Sequence, residues 1–284
     1  MPATAIITDT DASIPADIAR RLDIRQVPIN IQLGDETLRT GFDINDAELF
    51  ARIDRGDPFP TTSAPSPGQF VEAYQEAFSD GAQNLICYCV SAEVSATYNA
   101  ALQACSELPD KDITVIDTRS LSLGQGFLVI AAAEAARQGA VKDDILALTE
   151  DMGSRSHLFA ALATLKYLAK SGRVPALQAG IGNLLNVMPV LTIRDGTLDL
   201  LERVRTRKKA WRRVVELAVE AAGGKPVERM GIIHVNALEE ARQFLDLLST
   251  SLEPPQGTFF AELTPGLSVH GGTGMVGVVL IKGK

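Results

Sequence analysis

Short apolar runs alternate with amphipathic segments along the first half of the chain, and no other sequence feature constrains the fold as much. The strand-like runs are residues 4–8, 27–33, 84–90 and 113–117. Segments of helical periodicity, such as FVEAYQEAF and GFLVIAAAEAARQG, lie between and after them. Strands that are separated by helices form a largely parallel sheet with helices on both faces, and we predict that architecture here.

The pattern of the sequence changes near residues 150–157. The second half has its own strand-like runs, among them GIIHV, TFFAEL and VGVVLI, and a long basic amphipathic helix is predicted from about Thr206. A chain of 284 residues is long enough for two ordinary domains. We therefore predict an α/β protein with two domains. Residues 1–155 form the domain with the largely parallel sheet, and residues 156–284 form an α/β domain with a sheet of its own.

The charge and the apolar pattern argue against several classes of protein. The net charge is −8, which argues against nucleic-acid binding through a basic surface. No uninterrupted apolar stretch approaches the roughly 18 residues of a membrane helix, and the start MPATAIIT does not resemble a signal peptide. These features predict a cytoplasmic protein.

The cysteines and histidines do not have the spacing of a metal site. Cys87 and Cys89 lie on one face of a predicted strand and Cys105 lies in a helical pattern, so core thiols are favoured. The chain has three histidines, and its carboxylates are scattered without metal-ligand spacing. His157 and His234 lie in apolar runs, which predicts positions in or near the core. We expect neither a metal nor a cofactor.

Polar residues follow three predicted strands of the first half at the point where each strand ends. They are Asp9, Ser91 with Ser95, and Asp117 with Thr118. In open parallel sheets, ligands bind beyond the carboxyl ends of the strands. We therefore expect these residues to share one rim of the sheet.

Three hydroxyl residues, Thr61, Thr62 and Ser63, stand in a row in the stretch FPTTSAPSPGQ, with prolines on both sides. Proline fixes its own φ and favours extended geometry in the residue before it, so the prolines stiffen this loop. A capping box from Ser66 to Gln69 explains the second part of the stretch as the start of a helix. It leaves the hydroxyl row without a role.

The C-terminal motif GGTGMVG has the G-x-G-x-x-G spacing of a dinucleotide-binding loop at Gly272, Gly274 and Gly277. Seven residues follow Gly277, which leaves no room for the helix, second strand and acidic residue of such a site. A tight glycine loop is therefore favoured. The phosphate-loop pattern G-x-x-x-x-G-K-[ST] does not occur in the sequence.

A hydrolase triad is another alternative, with Ser95 as the nucleophile, His270 as the base and Asp9 or Asp117 as the orienting acid. Ser95 lies in VSATY and lacks the G-x-S-x-G setting of α/β-hydrolases. It can instead be the N-cap of the helix that follows, where free N–H groups attract an anion. His270 lies in a glycine-rich loop, LSVHGGTG, and both a functional and a structural role stay open for it.

A basic run stands out in this acidic chain. It comprises Arg203, Arg205, Arg207, Lys208, Lys209, Arg212 and Arg213. Two interpretations stay open: a solvated helix face, and a docking patch for an acidic partner or a phosphate.

Several stretches, taken together, resemble the DegV family of bacterial fatty-acid-binding proteins. They are IITDTDASIP, FPTTSAPSPGQF, VSAEVSATYNAA and VIDTRSLSLGQGFLV in the first half, and LKYLAKSGRV, IGNLLNVMPVLTIRDG, RVRTRKKA and HGGTGMVGV in the second. They cover essentially the whole chain in the family's order. Two positions depart from the pattern: Ala96 replaces the glycine of Ser-Gly-Thr, and Ser171 stands where a glycine usually precedes Gly172.

The resemblance implies two α/β domains that hold a long-chain fatty acid, with its carboxylate near the domain interface and its chain in an apolar tunnel. The residues that the resemblance assigns to the head group are Thr62 and Ser95, with Thr61 and Ser63 as near alternatives and Arg173 and His270 as assisting residues.

The resemblance also implies a lipid carrier and not an enzyme. Family members that act with a fatty acid kinase present the carboxylate for phosphorylation to an acyl phosphate. The expected partners are therefore a long-chain fatty acid and the catalytic subunit of that kinase, while a transient membrane contact remains possible. Arg203, Arg205 and Arg207 are the expected docking residues. The alternatives are a Ser-His hydrolase that uses Ser95 and His270, and a phosphosugar- or nucleotide-binding module.

Overall fold

The computed structural model of the protein describes residues 3–174 and 187–284. Part of the stretch IGNLLNVMPVLTIRDG, which contributes to the resemblance above, lies outside the described residues. The first sheet consists of β1 (Thr4–Asp9), β2 (Arg25–Val27), β6 (Asn84–Cys89) and β7 (Ile113–Asp117). These strands are parallel and have the order β2-β1-β6-β7, as the alternation of apolar runs and helices predicts.

Helices cover both faces of this sheet because successive side chains of a strand point to opposite sides. The covering helices are α3 (Pro67–Ser79) and α4 (Thr97–Ser106) on one face and α5 (Leu123–Arg137) on the other. Ile6 packs with the α5 core, whereas its neighbour Ile7 packs with α3 and α4. Cys87 and Cys89 are buried on the α3 face with their Sγ atoms 3.8 Å apart and no disulfide, which confirms the prediction of core thiols.

The predicted strand 27–33 is wrong as a single strand. Pro28 has no N–H to donate to a neighbouring strand, and β2 ends at Val27. The chain continues into a small antiparallel sheet, whose strands are β3 (Asn30–Leu33), β4 (Glu36–Arg39) and β5 (Thr61–Ser63). The row of hydroxyl residues is therefore an edge strand of this sheet and not a loop.

A second sheet lies in the C-terminal half, as predicted. Its strands are β8 (Ser156–Ala161), β9 (Met188–Arg194), β10 (Thr197–Val204), β11 (Val227–His234), β12 (Phe259–Glu262) and β13 (Val276–Lys282). Their order is β10-β9-β8-β13-β11-β12, and neighbours are antiparallel except for β11 and β12. Because all six strands begin at or after Ser156, we keep the domain boundary near residue 155 as a proposal.

The other helices surround these sheets. They are α1 (Ala16–Leu22), α2 (Asp46–Arg55), α6 (Lys142–Ser154), α7 (Lys166–Ser171), α8 (Arg207–Ala222), α9 (Leu238–Ser249) and α10 (Pro265–Gly271). Helices α8 and α9 pack on one face of the second sheet. The Thr206 side chain accepts a hydrogen bond from the backbone N–H of Lys209, so the predicted start of the basic helix is confirmed.

Helix α5 lies between the two sheets. All of its residues from Leu123 to Ala133 are buried, which explains why this helix is apolar on every face. Phe127 meets Phe259 of β12 edge-on, with ring centroids 5.8 Å apart. Gly231 of β11 permits this close packing, because a Cβ there would lie 2.2 Å from Cδ1 of Leu123. The two halves of the chain therefore share a core around α5.

The predicted glycine-rich loop around His270 is partly helical. Pro265 starts α10, where its fixed φ suits a first helical position, and His270 lies in the last turn of this helix. The tight glycine loop follows the helix, with Gly272 and Gly274 at φ values of 76° and 80°. Strand β13 comes next, so the strand–loop–helix order of a dinucleotide fingerprint is absent at this motif.

Candidate functional site

A cavity of about 390 Å³ opens between the two halves of the chain. Its lining comes from the segments that follow strands of the first sheet, from β5 of the small sheet, from strands of the second sheet and from α10. Most of the lining is aliphatic, and its larger side chains include Val94, Leu121, Leu158, Leu191, Leu198 and Ile233. The volume lies in the usual range of small-molecule sites, roughly 300 to 1,000 Å³.

The lining contains no aromatic ring other than His270 among the described residues. Bases and sugars are commonly held by stacking on aromatic side chains, whereas an alkyl chain needs only apolar area. This lining therefore suits a flexible aliphatic ligand better than a nucleotide or a phosphosugar.

Three of the predicted head-group residues form one cluster at the cavity. Oγ1 of Thr62 lies 3.2 Å from Nε2 of His270. Nη2 of Arg173 donates to the same oxygen at 3.4 Å. The three residues are far apart in sequence, and β5, α10 and the segment after α7 bring them together. The cluster offers hydroxyl, imidazole and guanidinium groups at one point of a mostly aliphatic cavity.

His270 is a neutral imidazole at physiological pH. Burial, together with the positive charge of Arg173, lowers its pKa to about 3. Its Nδ1 is buried and has no hydrogen-bond partner among the described residues. A buried polar atom without a partner is costly, and a polar ligand atom is one way to satisfy it.

Ser95 also lines the cavity, but it is not the N-cap of the helix that follows. Helix α4 begins at Thr97, and its N-cap residue is Ala96. Oγ of Ser95 accepts the backbone N–H of Thr97 at 3.3 Å and lies 2.8 Å from Oγ1 of Thr97. The predicted cap is thus wrong by one residue, while Ser95 still lies beside the first N–H groups of the helix.

The other two hydroxyl residues of β5 differ in position. Side chains of a strand alternate between its faces, and Thr61 is exposed and does not belong to the cavity lining. Ser63 ends the strand at the border of the cavity and contributes to its lining. The structure therefore brings Thr62, Ser63 and Ser95 to the cavity, and it does not bring Thr61 there.

The aspartates at the rim of the first sheet fix loops. The carboxylate of Asp9 accepts the backbone N–H of Val90 at 2.8 Å and that of Asp11 at 2.9 Å. The carboxylate of Asp117 accepts the backbone N–H of Ala92 at 3.2 Å and that of Arg119 at 2.8 Å. These contacts place the loops after the strands, which is a structural role.

A hydrolase triad finds no support in this geometry. His270 contacts Thr62, and within residues 3–174 and 187–284 no hydrogen bond connects it with Ser95, Asp9 or Asp117. An imidazole with a pKa of about 3 is also a poor general base near pH 7.

Sequence reasoning missed two polar residues of the cavity lining, Asp11 and Ser122. Both lie inside stretches that carry the family resemblance, IITDTDASIP and VIDTRSLSLGQGFLV. Ser122 has a positive φ of 52°, and its buried Oγ has no partner among the described residues. Neither property can be read from the sequence, because both arise from the loop that precedes α5.

The basic patch, defined as Arg203, Arg205 and Arg207, lies away from the cavity lining. All three side chains are exposed. Arg207 forms an ion pair with Glu240 at 3.3 Å and lies over the ring of Trp211. Among the described residues, no acidic side chain pairs with Arg203 or Arg205.

The described part of the chain contains no cluster of His, Cys, Asp or Glu residues that could hold a metal ion. No helix in that part is long and apolar enough to cross a membrane.

Residues 3–283 match the DegV family, which is described as a family of uncharacterised proteins. A DegV domain-containing protein of Streptomyces coelicolor is 34% identical over 276 residues, which are 97% of this chain and 97% of the relative. One from Halalkalibacterium halodurans is 29% identical over 278 residues, or 98% of each chain.

Solved structures share the fold over almost the whole chain. A fatty-acid-binding DegV family protein from Thermus thermophilus has a TM-score of 0.89 at 31% identity, covering 99% of this chain and 100% of that one. DegV from Bacillus subtilis, a fatty acid binding protein, has a TM-score of 0.85 at 29% identity, with coverage of 99% and 100%. A fatty acid binding DegV family protein from Streptococcus agalactiae has a TM-score of 0.88 at 26% identity, with coverage of 99% of each chain.

Proposed function

This chain belongs to the DegV family, and on that premise we propose that it binds a long-chain fatty acid in the cavity between its two halves. The single observation that carries the proposal is a mostly aliphatic cavity in which the side chains of Thr62, Arg173 and His270 form a hydrogen-bonded cluster. Similar proteins from Thermus thermophilus, Bacillus subtilis and Streptococcus agalactiae bind fatty acids, which supports the proposal.

The acyl chain provides most of the affinity. Burial of one CH₂ group contributes about 0.8 kcal/mol, so a long chain in an aliphatic lining binds strongly without help from the head group. The hydrogen-bonding groups are then needed mainly for orientation of the carboxylate.

In this proposal the hydroxyl groups of Thr62 and Ser95 donate hydrogen bonds to the carboxylate, with Ser63 as the neighbouring alternative. Arg173 and His270 assist through Thr62, because both contact its Oγ1. When Oγ1 accepts the hydrogen bond from Arg173, the hydroxyl proton of Thr62 is free to point toward the ligand. Hydroxyl donors orient a carboxylate without enclosing it in a tight ion pair, which keeps the carboxylate reachable.

The role that we propose for this protein is that of a cytoplasmic carrier, which does not itself catalyse a reaction. It presents the carboxylate to a fatty acid kinase, which transfers a phosphoryl group to a carboxylate oxygen and forms an acyl phosphate. Exposed Arg203 and Arg205, with no acidic partner among the described residues, suit the docking of an acidic surface of that kinase.

Organic extraction of the purified protein followed by mass spectrometry tests the binding proposal. We expect about one long-chain fatty acid per protein chain. Delipidated protein should take up palmitic acid in a titration. Protein that is purified without lipid and that also fails to take up palmitic acid would contradict the proposal.

A further inference from the structure

Asp11 is a carboxyl group in a cavity that we propose to hold another carboxyl group. It is 94% buried, with 6% of its surface exposed, and it is the one acidic residue among the described residues of the lining. Its backbone is fixed on both sides: its N–H donates to Asp9 Oδ1 at 2.9 Å, and its C=O accepts the N–H of Ser122 at 2.8 Å. The side chain therefore projects from a rigid turn.

The two carboxyl oxygens of Asp11 have different surroundings. The hydroxyl of Thr264 donates to Oδ1 at 3.4 Å and also to the C=O of Thr10 at 3.1 Å. Oδ1 also faces Gly266, where a Cβ would lie 2.5 Å away. No side chain of the described residues donates to Oδ2. When Asp11 is neutral, its proton therefore belongs on Oδ2. The Oγ of Ser122, which is buried beside this turn, also has no hydrogen-bond partner among the described residues.

Asp11 lies close to the head-group cluster. Gly266 and His270 are four residues apart on α10, so their positions lie one above the other on the same helix face. Such positions have Cβ atoms about 6 Å apart, which places Oδ1 of Asp11 within about 9 Å of the His270 Cβ. The charge of Arg173 also reaches Asp11. Asp11 and the cluster of Thr62, Arg173 and His270 thus line the same cavity.

Burial and the negative charge of Asp9 favour the neutral form of Asp11. Burial is the main reason that the pKa of Asp11 lies well above its usual value, and the negative charge of Asp9 also raises it. The hydrogen bond from Thr264 and the positive charge of Arg173 lower the pKa but do not outweigh these causes. Burial raises the pKa of Asp9 itself to about 6, so Asp9 is ionised above pH 7. His270, with a pKa of about 3, stays neutral there. Among the described residues, Asp9 and Arg173 are the charged groups that act on Asp11, and His270 is the other titratable side chain of the cavity lining besides Arg173.

We propose that Asp11 is a further ligand-contacting residue of this cavity, which donates a hydrogen bond from its carboxyl group to the acid head group and so favours a carboxylic acid over a neutral lipid. The inference rests on the proposed function. An O–H donor that meets a carboxylate forms a charge-assisted hydrogen bond, which is about twice as strong as one between neutral groups. A fatty alcohol of the same length gains no such bond.

Two substitutions separate the hydrogen bond from the shape of the side chain. Asp11→Asn keeps the size and supplies N–H donors, whereas Asp11→Ala removes the donor. The probes are palmitic acid and hexadecanol, each displacing a fluorescent fatty acid from delipidated protein at pH 7.5. We expect Asp11→Ala to weaken palmitic acid binding at least about tenfold and hexadecanol binding less than about twofold. Asp11→Asn should stay within about threefold of wild type for both.

Three results would overturn the inference. Unchanged palmitic acid affinity in Asp11→Ala would show that Asp11 does not contact the head group. Tighter binding in both variants would show an ionised Asp11 that repels the ligand. An equal loss for palmitic acid and hexadecanol would show a general change of the cavity. Wild-type protein that binds no palmitic acid would instead overturn the proposed function and this inference together.

The pH dependence gives a second measurement that does not need the alanine variant to fold. Above the pKa of Asp11 in the free protein, wild-type affinity should fall by up to about tenfold per pH unit as the donor is lost. Asp11→Asn has no proton to lose, so its affinity should change less between pH 7 and pH 10. Equal pH profiles for wild type and Asp11→Asn would overturn the inference.

Discussion

Replacement of Thr62 by valine tests the head-group cluster with a small change in shape. Valine keeps the branched side chain of threonine and suits a strand equally well, and the backbone pairing of Thr62 with Ile31 does not depend on the hydroxyl. The substitution removes Oγ1, which lies 3.2 Å from Nε2 of His270 and 3.4 Å from Nη2 of Arg173. We expect the fold to be kept and the affinity for a fatty acid to fall.

The size of this fall follows from the hydrogen bonds that Oγ1 makes. A hydrogen bond to a charged group contributes roughly 1.5 to 3 kcal/mol, which corresponds to about a 10- to 150-fold change in Kd. We therefore expect the Kd for palmitic acid to rise at least about tenfold.

Displacement of a fluorescent fatty acid from delipidated protein measures this Kd. Thr61→Val is the matched control, because Thr61 lies on the other, exposed face of the same strand. The control should bind within about twofold of wild type, since surface substitutions have small effects. Circular dichroism of all three proteins checks the fold.

Two results would refute the reasoning about Thr62. If Thr62→Val and Thr61→Val both bind as tightly as wild type, Oγ1 of Thr62 does not hold the head group. If both variants lose affinity equally, the strand as a whole matters and the cluster of three side chains does not.

Three further substitutions test other parts of the structure. Burial raises the pKa of Asp46 to about 7 whereas the unfolded chain loses this proton near pH 4, so the free energy of unfolding falls as pH rises between these values. Urea denaturation of Asp46→Asn should show a decrease in the free energy of unfolding between pH 5 and pH 8 that is smaller than in wild type by about 3 kcal/mol. An equal decrease in the two proteins would contradict this prediction. Gly266→Ala places a Cβ 2.5 Å from Oδ1 of Asp11 and 3.1 Å from Cγ2 of Ile29. It should weaken palmitic acid binding in the displacement assay, because overpacking costs roughly 1 to 3 kcal/mol, and unchanged affinity would argue against this wall of the cavity. Arg205→Glu should leave the amount of bound lipid unchanged. It should raise the concentration of this protein at which the kinase reaches half-maximal activity, and this increase should be smaller at high salt, which screens surface charges. Loss of lipid with an unchanged kinase response would assign Arg205 to the ligand site.

Local patterns predicted much of the architecture. The spacing of apolar residues predicted the parallel sheet, a helix in the stretch that forms α5 and the start of the basic helix α8 near Thr206. The errors also have local causes. Residues 27–33 have the composition of a single strand, with four aliphatic side chains among the seven, so the run hid the change from one sheet to another at Pro28. His270 is followed by glycines, which suggested a loop although Pro265 starts a short helix five residues earlier.

The sequence by itself determined which groups are available to the site. It supplied a row of hydroxyl residues, a serine near a helix start, and an arginine and a histidine in recognisable motifs. These properties are local, because a few neighbouring residues set the geometry of a strand, a cap or a turn.

Only the tertiary structure decided which of these groups meet and how they ionise. Thr62 and His270 are 208 residues apart in the chain, and the packing of β5 against α10 brings their side chains together. The same packing buries Asp11, which no sequence pattern singled out, and raises its pKa. Burial depends on all the elements around a group, and desolvation is the largest cause of the pKa shifts of Asp11, Asp46 and His270. The chemistry of the cavity is therefore a property of the packed chain, while its list of side chains is a property of the sequence.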